Sequence, residues 1–508
     1  MIRLQRFMLS MMFAVLAQVA TANIKVPALI ADNMVLQQNT KAALWGWASA
    51  GEEVSITTSW NNKTIRVITD ASGKWTTYVK TIKAGGPYII NFKGSNNITI
   101  TNVLLGEVWL ASGQSNMEFF MAKTRSSSYT GVLNYEEEIK AANYPLIRQI
   151  DVANKNAAEP QQDFKGTWKI CTPQNADTFS AVAFYFALQV HKATGFPIGI
   201  INSTWGGTTA ESWTKKEVLE NDNNFKVVVD RYNDAVKDYP KAIENYNAAL
   251  NKWKLDSSKA KPTAPVRPNP DKAPYRLYNA MIAPLAPYTL KGVIWYQGES
   301  NADRAYQYRR LFPAMIANWR NDFKNDKLPF YFVQISPHRS QNAEIREAQL
   351  LTYRNVKNTG MVVTTDNGDS LDIHPRNKKL VGERLSLWAL NNEYGKKNIV
   401  TSGPLYKSMK IKGDKIEVEF DFTGDGLVTK DGTELKEFTI AGDDEKFVPA
   451  KAIMKGNKVE VWSDAVTKPV AVRFAWRNIP NPNLFNKAGL PASPFRTDSW
   501  KGMTEGKN

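Results

Sequence analysis

At 508 residues, with 43% hydrophobic and 22% charged positions, the chain has the balance of a globular protein and too much length for one ordinary domain. Its single cysteine, Cys171, excludes an intrachain disulfide and a multi-cysteine metal site. The formal net charge of +16 rests on scattered lysines, with no basic stripe interleaved with aromatics; this excludes a nucleic-acid groove and leaves a solvated surface with a mild attraction for acidic glycans.

The first 22 residues, MIRLQRFMLSMMFAVLAQVATA, place Arg3 and Arg6 before an apolar run that closes on Ala20-Thr21-Ala22. That is the pattern of a secretory signal peptide, cut before Asn23. The run is shorter than the ~20 apolar residues a membrane anchor needs, and Ser10 and Gln18 interrupt it. No cysteine follows the cleavage region, so a lipoprotein is not expected, and no later segment is long and apolar enough to span a membrane. A secreted chain this poor in cysteine fits the bacterial periplasm.

Residues 23–102 are short β-rich runs broken by turn residues, which predicts a small N-terminal β-sandwich domain. Over 103–395 the pattern becomes α/β. Strand-like runs at Leu104–Leu110, Ile198–Ile201, Val293–Tyr296, Phe330–Ile335 and Met361–Thr365 alternate with helical patterns, predicting a parallel sheet covered on both faces. Residues 216–275 form an excursion. Ile243, Tyr246, Leu250 and Trp253 fall at helical spacing before the Pro-rich KPTAPVRPNPDKAP, and a helical pair packed on the side is expected. From 396 to 508 strand patterns return, predicting a C-terminal β domain of sandwich type.

Ligands of open parallel sheets bind beyond the carboxyl ends of the strands. The segments leaving the five predicted strands are GQSN, STWGGTTAESW, YQGESNAD, SPHRS and TDNGDSLDIHPRNK. Ser115, at the sharp exit of the first strand, is the candidate nucleophile, which needs a base to activate it. His374 is the candidate base. Pro375 biases it to extended backbone, and the positive end of the following helix disfavours imidazolium. His338 follows a strand too and is the rival; His191 lies in an apolar helical pattern and reads as structural. Asp372, two residues before His374, shares a face with it in extended chain and is the candidate acid; Asp366, Asp369 and Glu299 compete. Gly206 or Gly207 in the WGGT turn and the Asn301 amide are candidate oxyanion donors. Gln114, Gln297, Glu299 and Arg304, in the same turns, are expected to face substrate. The string GDSL occurs at Gly368–Leu371, but at the far end of the α/β region, so Ser370 reads as a loop serine. No G-x-S-x-G elbow is present, which argues against an α/β-hydrolase.

In this order GQSNM, WGGT, WYQGESN and DIHPRNK resemble the blocks of SGNH hydrolases, and more closely those of the sialate O-acetylesterase branch, related to certain acetyl xylan esterases. The opening DNMVLQ and closing GLPASPFRTDSW are similar to that branch too, so the resemblance covers nearly the whole mature chain. It implies a flavodoxin-like hydrolase domain, no cofactor, and an acetylated carbohydrate as substrate, most directly O-acetylated sialic acid. Carried over, Ser115 is the nucleophile, His374 the base, and Gly207 and Asn301 the oxyanion donors. The broader pattern places aspartate three residues before the histidine; Leu371 stands there, so the acid is Asp372, Glu299, another carboxylate or none, as in a Ser–His dyad. Arg304, Arg376 and Arg339 are candidate cations for a sialic acid carboxylate. The alternatives are an acetyl esterase of xylan or another plant glycan, and a non-catalytic carbohydrate-binding protein.

Overall fold

The computed structural model describes residues 23–124 and 129–507; the expected signal peptide at 1–22 lies outside the described residues. The architecture is mixed α/β around a large sheet with a parallel centre. Its axis is one long strand, β1 (Asn97–Gly113). In NITIT the exposed Asn97, Thr99 and Thr101 alternate with Ile98 and Ile100, whereas from Val103 to Gly113 every residue is buried. The first half therefore suits a sheet with one wet face and the second a sheet covered on both. The first half pairs antiparallel with Gly85–Lys93, and the second enters the parallel sheet. The boundary expected at 102/103 falls inside this unbroken strand, and the buried core runs continuously from the N-terminal strands into the α/β region.

The other strands of the central sheet are β2 (Tyr144–Asp151), β3 (Trp168–Cys171), β4 (Ile198–Thr204), β5 (Gly292–Tyr296), β6 (Phe330–Val333) and β7 (Thr359–Val362). Their spatial order is β7-β6-β5-β1-β4-β2-β3, parallel throughout except for β3 at the edge. Strand β2 was not anticipated, because YPLIRQID carries proline and two long polar side chains. Its Arg148 is nonetheless buried, its terminal guanidinium nitrogens donating to the carbonyls of Asn33 and Asn102 and to the Asn102 side chain.

Register pairs Trp109 with Gly292 and Trp295 with Ser112, so the two indoles point to opposite faces of the sheet. Trp109 packs edge-on to Phe186 of α1 (Ala181–Thr194). Trp295 is enclosed by Trp213, Phe330, and Phe312 and Trp319 of α3 (Ala305–Asp322). The excursion expected as a helical pair is instead a single turn at Lys216–Glu220 followed by one 33-residue helix, α2 (Asn223–Leu255). Only Phe225, Val228 and Val229 of α2 are buried. Its apolar stripe is half-buried, and Trp253 Nε1 donates to the carbonyl of Lys259 on the returning chain at 2.8 Å.

Beyond β6 come α4 (Ala343–Asn355) and, after β7, α5 (Lys378–Asn392), which packs on α1. Residues 405–496 build two four-stranded sheets and a two-stranded one around a second core. The closing segment is clamped to α4: Arg496 Nε donates to Glu347 at 2.8 Å, and the Thr504 N–H donates to Glu344 at 3.0 Å. No helix among the described residues is long and apolar enough to cross a membrane.

The asymmetry between core and excursion is measurable by chemical denaturation. Trp295→Ala should cost about 3–5 kcal/mol, the range for a buried aromatic. Val236→Ala, at an exposed position of α2, should stay within about 0.5 kcal/mol. Comparable losses would mean that the outer part of α2 packs on the body.

Candidate active site

The strand order reverses at β1, with β4 on one side and β5 on the other, so the crevice at their carboxyl ends is the switch point of the sheet. Gly113 makes the exit from β1 possible. Its φ is +138°, and a Cβ there would lie 2.2 Å from the Tyr296 carbonyl oxygen. That carbonyl accepts the Gln114 N–H at 3.0 Å, which locks the turn against β5. Ser115 follows at the start of a single helical turn, Ser115–Glu118.

Ser115 Oγ and His374 Nε2 lie 2.8 Å apart. His374 is partly exposed, with its ring 5.1 Å from that of Tyr129. Desolvation, then repulsion by the Lys378 ammonium, pushes the imidazole down to about 4, so it is neutral across the physiological range and free to accept a proton. Asp372 caps the turn: its Oδ1 accepts the His374 backbone N–H at 2.8 Å and stands 3.6 Å from Nδ1. This carboxylate is half-exposed, and at 3.6 Å the contact with the ring is electrostatic rather than a hydrogen bond.

The competing acids have other partners. Asp366 makes a two-pronged ion pair with Arg384, and Asp369 caps the Leu371 and Asp372 N–H groups. Glu299 accepts from Asn116 Nδ2 at 2.6 Å. Asn116 Nδ2 also donates to the Ile373 carbonyl at 3.1 Å, and its Oδ1 accepts from the fully buried Lys378. Lys378 lies over the rings of Phe119 and Tyr296, and burial draws it down to about 7. This Lys378–Asn116–Glu299 chain ties the nucleophile turn to the histidine loop. His338 Nδ1 is taken up by its neighbour Ser340, and His191 by the Phe196 carbonyl. Ser370 is exposed in the Asp369 turn.

The two glycines of WGGT differ. The Gly206 N–H donates to Glu118 Oε2 at 2.6 Å, so that donor is occupied. Gly207 adopts φ +70°. Asn301 is buried and oriented on all sides. Its Oδ1 accepts from Ala210 N (2.9 Å) and Gln297 Nε2 (2.7 Å), and its Nδ2 donates to Glu211 at 2.9 Å. Gln297 is fully buried and accepts from Tyr308, so it orients Asn301 instead of facing substrate. Gln114 accepts the Ser300 N–H at 3.3 Å, joining the β1 and β5 turns. Arg304 is not an open cation: its guanidinium is buried against Glu211 at 2.8 Å and Gln307 at 3.0 Å. Arg376 is held by the carbonyls of Gly131 and Val132. Sequence reasoning missed Glu118, Glu211 and Lys378. Glu118 directly follows the GQSNM block and Lys378 closes DIHPRNK, but nothing in a linear pattern marks them as supports.

A serine hydroxyl against an unprotonated imidazole is equipped for nucleophilic attack on a carbonyl. Comparison with known proteins leads the same way. Residues 105–251 and 267–390 match the family described as "Carbohydrate esterase, sialic acid-specific acetylesterase". The chain is 29% identical over 544 residues to the sialate O-acetylesterase of Rattus norvegicus, covering 96% of this chain and 97% of that protein. It is 28% identical to that of Homo sapiens, covering 92% and 91%. Among solved structures it is similar to a carbohydrate acetylesterase from Xanthomonas citri, with a TM-score of 0.80 and 36% identity over 94% of this chain and 100% of that one.

The electrostatics yield a titration test. NMR of the His374 ring should give a midpoint near 4. The unfolded chain binds the proton more readily than the folded one, so this group lowers stability as pH falls from about 6.5 toward 4. Lys378→Met removes the repelling charge, so the His374 midpoint should rise while staying below its ordinary value, because desolvation persists. An unchanged midpoint would remove Lys378 from the account.

Proposed function

The chain belongs to the sialic acid-specific acetylesterase family of carbohydrate esterases, and from that premise we propose that it removes O-acetyl groups from sugars by a serine mechanism. The contact that carries the reading is Ser115 Oγ at 2.8 Å from a neutral His374. Asp372 favours the tautomer with the proton on Nδ1, which leaves Nε2 to accept from Ser115. Oγ attacks the acetyl carbonyl carbon as its proton passes to Nε2. The oxyanion is received by the Gly207 N–H and by the second Nδ2 proton of Asn301. The sugar oxygen leaves with the proton from His374, and an acetyl-enzyme remains. Water, deprotonated by His374, then releases acetate and restores Ser115.

In this reading the α/β region from the second half of β1 to about residue 395 is a flavodoxin-like SGNH hydrolase domain, joined through β1 to the N-terminal strands and followed by a sandwich-like unit at 396–508. The chain is exported by its first 22 residues to the periplasm. The preferred substrate is O-acetylated sialic acid, as the names of the family and of its mammalian relatives suggest. A neutral acetylated plant glycan is the second reading, favoured by one observation: Arg304, expected at the mouth as a carboxylate fork, is held by Glu211.

Turnover of a chromogenic acetyl ester, then acetate release from acetylated sialic acids and acetylated xylo-oligosaccharides, separates these readings. Ser115→Ala and His374→Ala should each lower kcat by about 10⁴-fold or more, and Ser370→Ala should leave it near wild type. Asp372→Asn should cost less than about 10²-fold, because its half-exposed carboxylate stands off the ring. Loss on Ser370→Ala would overturn the assignment of the nucleophile. No turnover of any acetyl ester by the wild type would leave a carbohydrate-binding protein.

A further inference from the structure

Sialic acid differs from a neutral acetylated sugar by its carboxylate, and a site selective for it needs an accessible cation. Of the arginines expected at this edge, only Arg304 is paired with a carboxylate, Glu211; Arg376 donates to the Gly131 and Val132 carbonyls, and Arg339 is exposed on the segment after β6. Lys378 is fully buried behind Asn116. A different cation reaches the candidate oxyanion turn. Lys272 Nζ lies 3.1 Å from where a Cβ on Gly207 would stand, so the ammonium rests directly over that glycine.

The position of Lys272 is built. Its carbonyl accepts from Ser212 Oγ at 3.0 Å, and its N–H donates to the Asn269 carbonyl at 3.1 Å. The neighbouring Asp271 accepts from Asn156 Nδ2 at 2.6 Å. The end of the Pro-rich return is thus pinned on one side to the segment after β4 and on the other to the segment after β2. The side chain itself is exposed, and among the described residues no carboxylate pairs with it. The carboxylates around it have other partners: Glu118 holds the Gly206 N–H, Glu211 holds Arg304 and Asn301, and Asp271 holds Asn156.

A cleft of about 500 Å³ is lined by Ala153, Asn154, Lys155, Asp163, Phe164 and Lys165. Asn154 Nδ2 donates to Glu118 Oε1 at 3.4 Å, which connects the cleft to the turn at Gly206 and Gly207.

We propose that Lys272, carried over the Gly207 turn by the end of the 216–275 excursion, is the specificity residue that receives the carboxylate of an acidic acetylated sugar, whose remainder extends into the cleft at Asn154 and Phe164. A single ammonium on a flexible stem gives one charge-assisted contact without the two-pronged geometry of arginine. The interaction is exposed and therefore weakens with salt. The inference rests on the sialic acid reading above, and it answers the objection raised by the burial of Arg304.

The test uses N-acetylneuraminic acid O-acetylated at the glycerol side chain and the methyl ester of the same sugar, which is neutral and nearly isosteric. Binding of both is measured to the Ser115→Ala protein with Lys272 intact, with Lys272→Ala and with Lys272→Arg, so the result does not depend on turnover. The Ser115→Ala protein should bind the acid about 10-fold more tightly than the ester. Lys272→Ala should abolish that difference by weakening the acid alone, and Lys272→Arg should restore most of it. In the enzyme with Ser115 intact, Lys272→Ala should raise KM for the acid more than KM for a neutral chromogenic acetate. A preference for the acid that survives Lys272→Ala overturns the role of Lys272 and leaves the esterase reading standing. Equal binding of acid and ester with Lys272 intact overturns the carboxylate subsite altogether. Failure of the wild type to hydrolyse the neutral acetate is the separate result that defeats the esterase reading.

Discussion

The close approach of Gly113 to the Tyr296 carbonyl is the constraint on which the candidate site depends. A parallel sheet reverses its order at one place, and side chains from three strand ends can converge only there. β1 is that place, and it must turn within two residues to present Ser115 rather than run on into solvent. Only a residue without a Cβ fits there, because a Cβ would stand 2.2 Å from the Tyr296 carbonyl oxygen and φ is +138°. The same carbonyl then accepts the Gln114 N–H, so the nucleophile turn inherits the rigidity of the sheet.

From that point the site is held together by side chains that do not themselves perform chemistry. Glu118 fixes the WGGT turn, Glu211 fixes Asn301, and Glu299 with Lys378 fixes Asn116 and, through it, the Ile373 carbonyl beside His374. Each is a buried or half-buried charge meeting partners from other strand ends. Buried charges are poor sources of stability, since desolvation offsets much of the attraction. They are good at excluding alternative arrangements, because a displaced partner would leave a charge unsatisfied in a low dielectric.

The α/β alternation, the five strand exits and the Ser115–His374 pair were legible because they depend on local pattern: β-rich runs end where polar, glycine-rich turns begin. What was illegible depends on tertiary pairing. YPLIRQID hid a central strand because Arg148 finds its carbonyl partners 46 and 115 residues away. Arg304 stood beside a site motif and so looked like a substrate cation, but its partner Glu211 lies 93 residues earlier, on the segment after β4. The apolar stripe of the excursion has the correct period for a helix, yet period alone does not say whether a helix packs on the body or on its own returning chain. The continuity of β1 across the expected domain boundary escaped notice because a change in patterning there marks a change of sheet environment and not a break in the strand.

The excursion then acquires a structural reason. Helix α2 buries only its first turns, so the 216–275 segment contributes little packing for its length. Its return, however, ends on a backbone pinned by Ser212 and by the Asp271–Asn156 bond, which delivers Lys272 to the Gly207 turn. Arg304 is tied to a carboxylate, Arg376 to carbonyls and Lys378 to an amide within the protein. Charges placed that way shape the site but have no capacity left for a substrate. A cation from a peripheral segment, anchored by its backbone and unpaired at its side chain, is the arrangement that leaves recognition separable from the chemistry at Ser115.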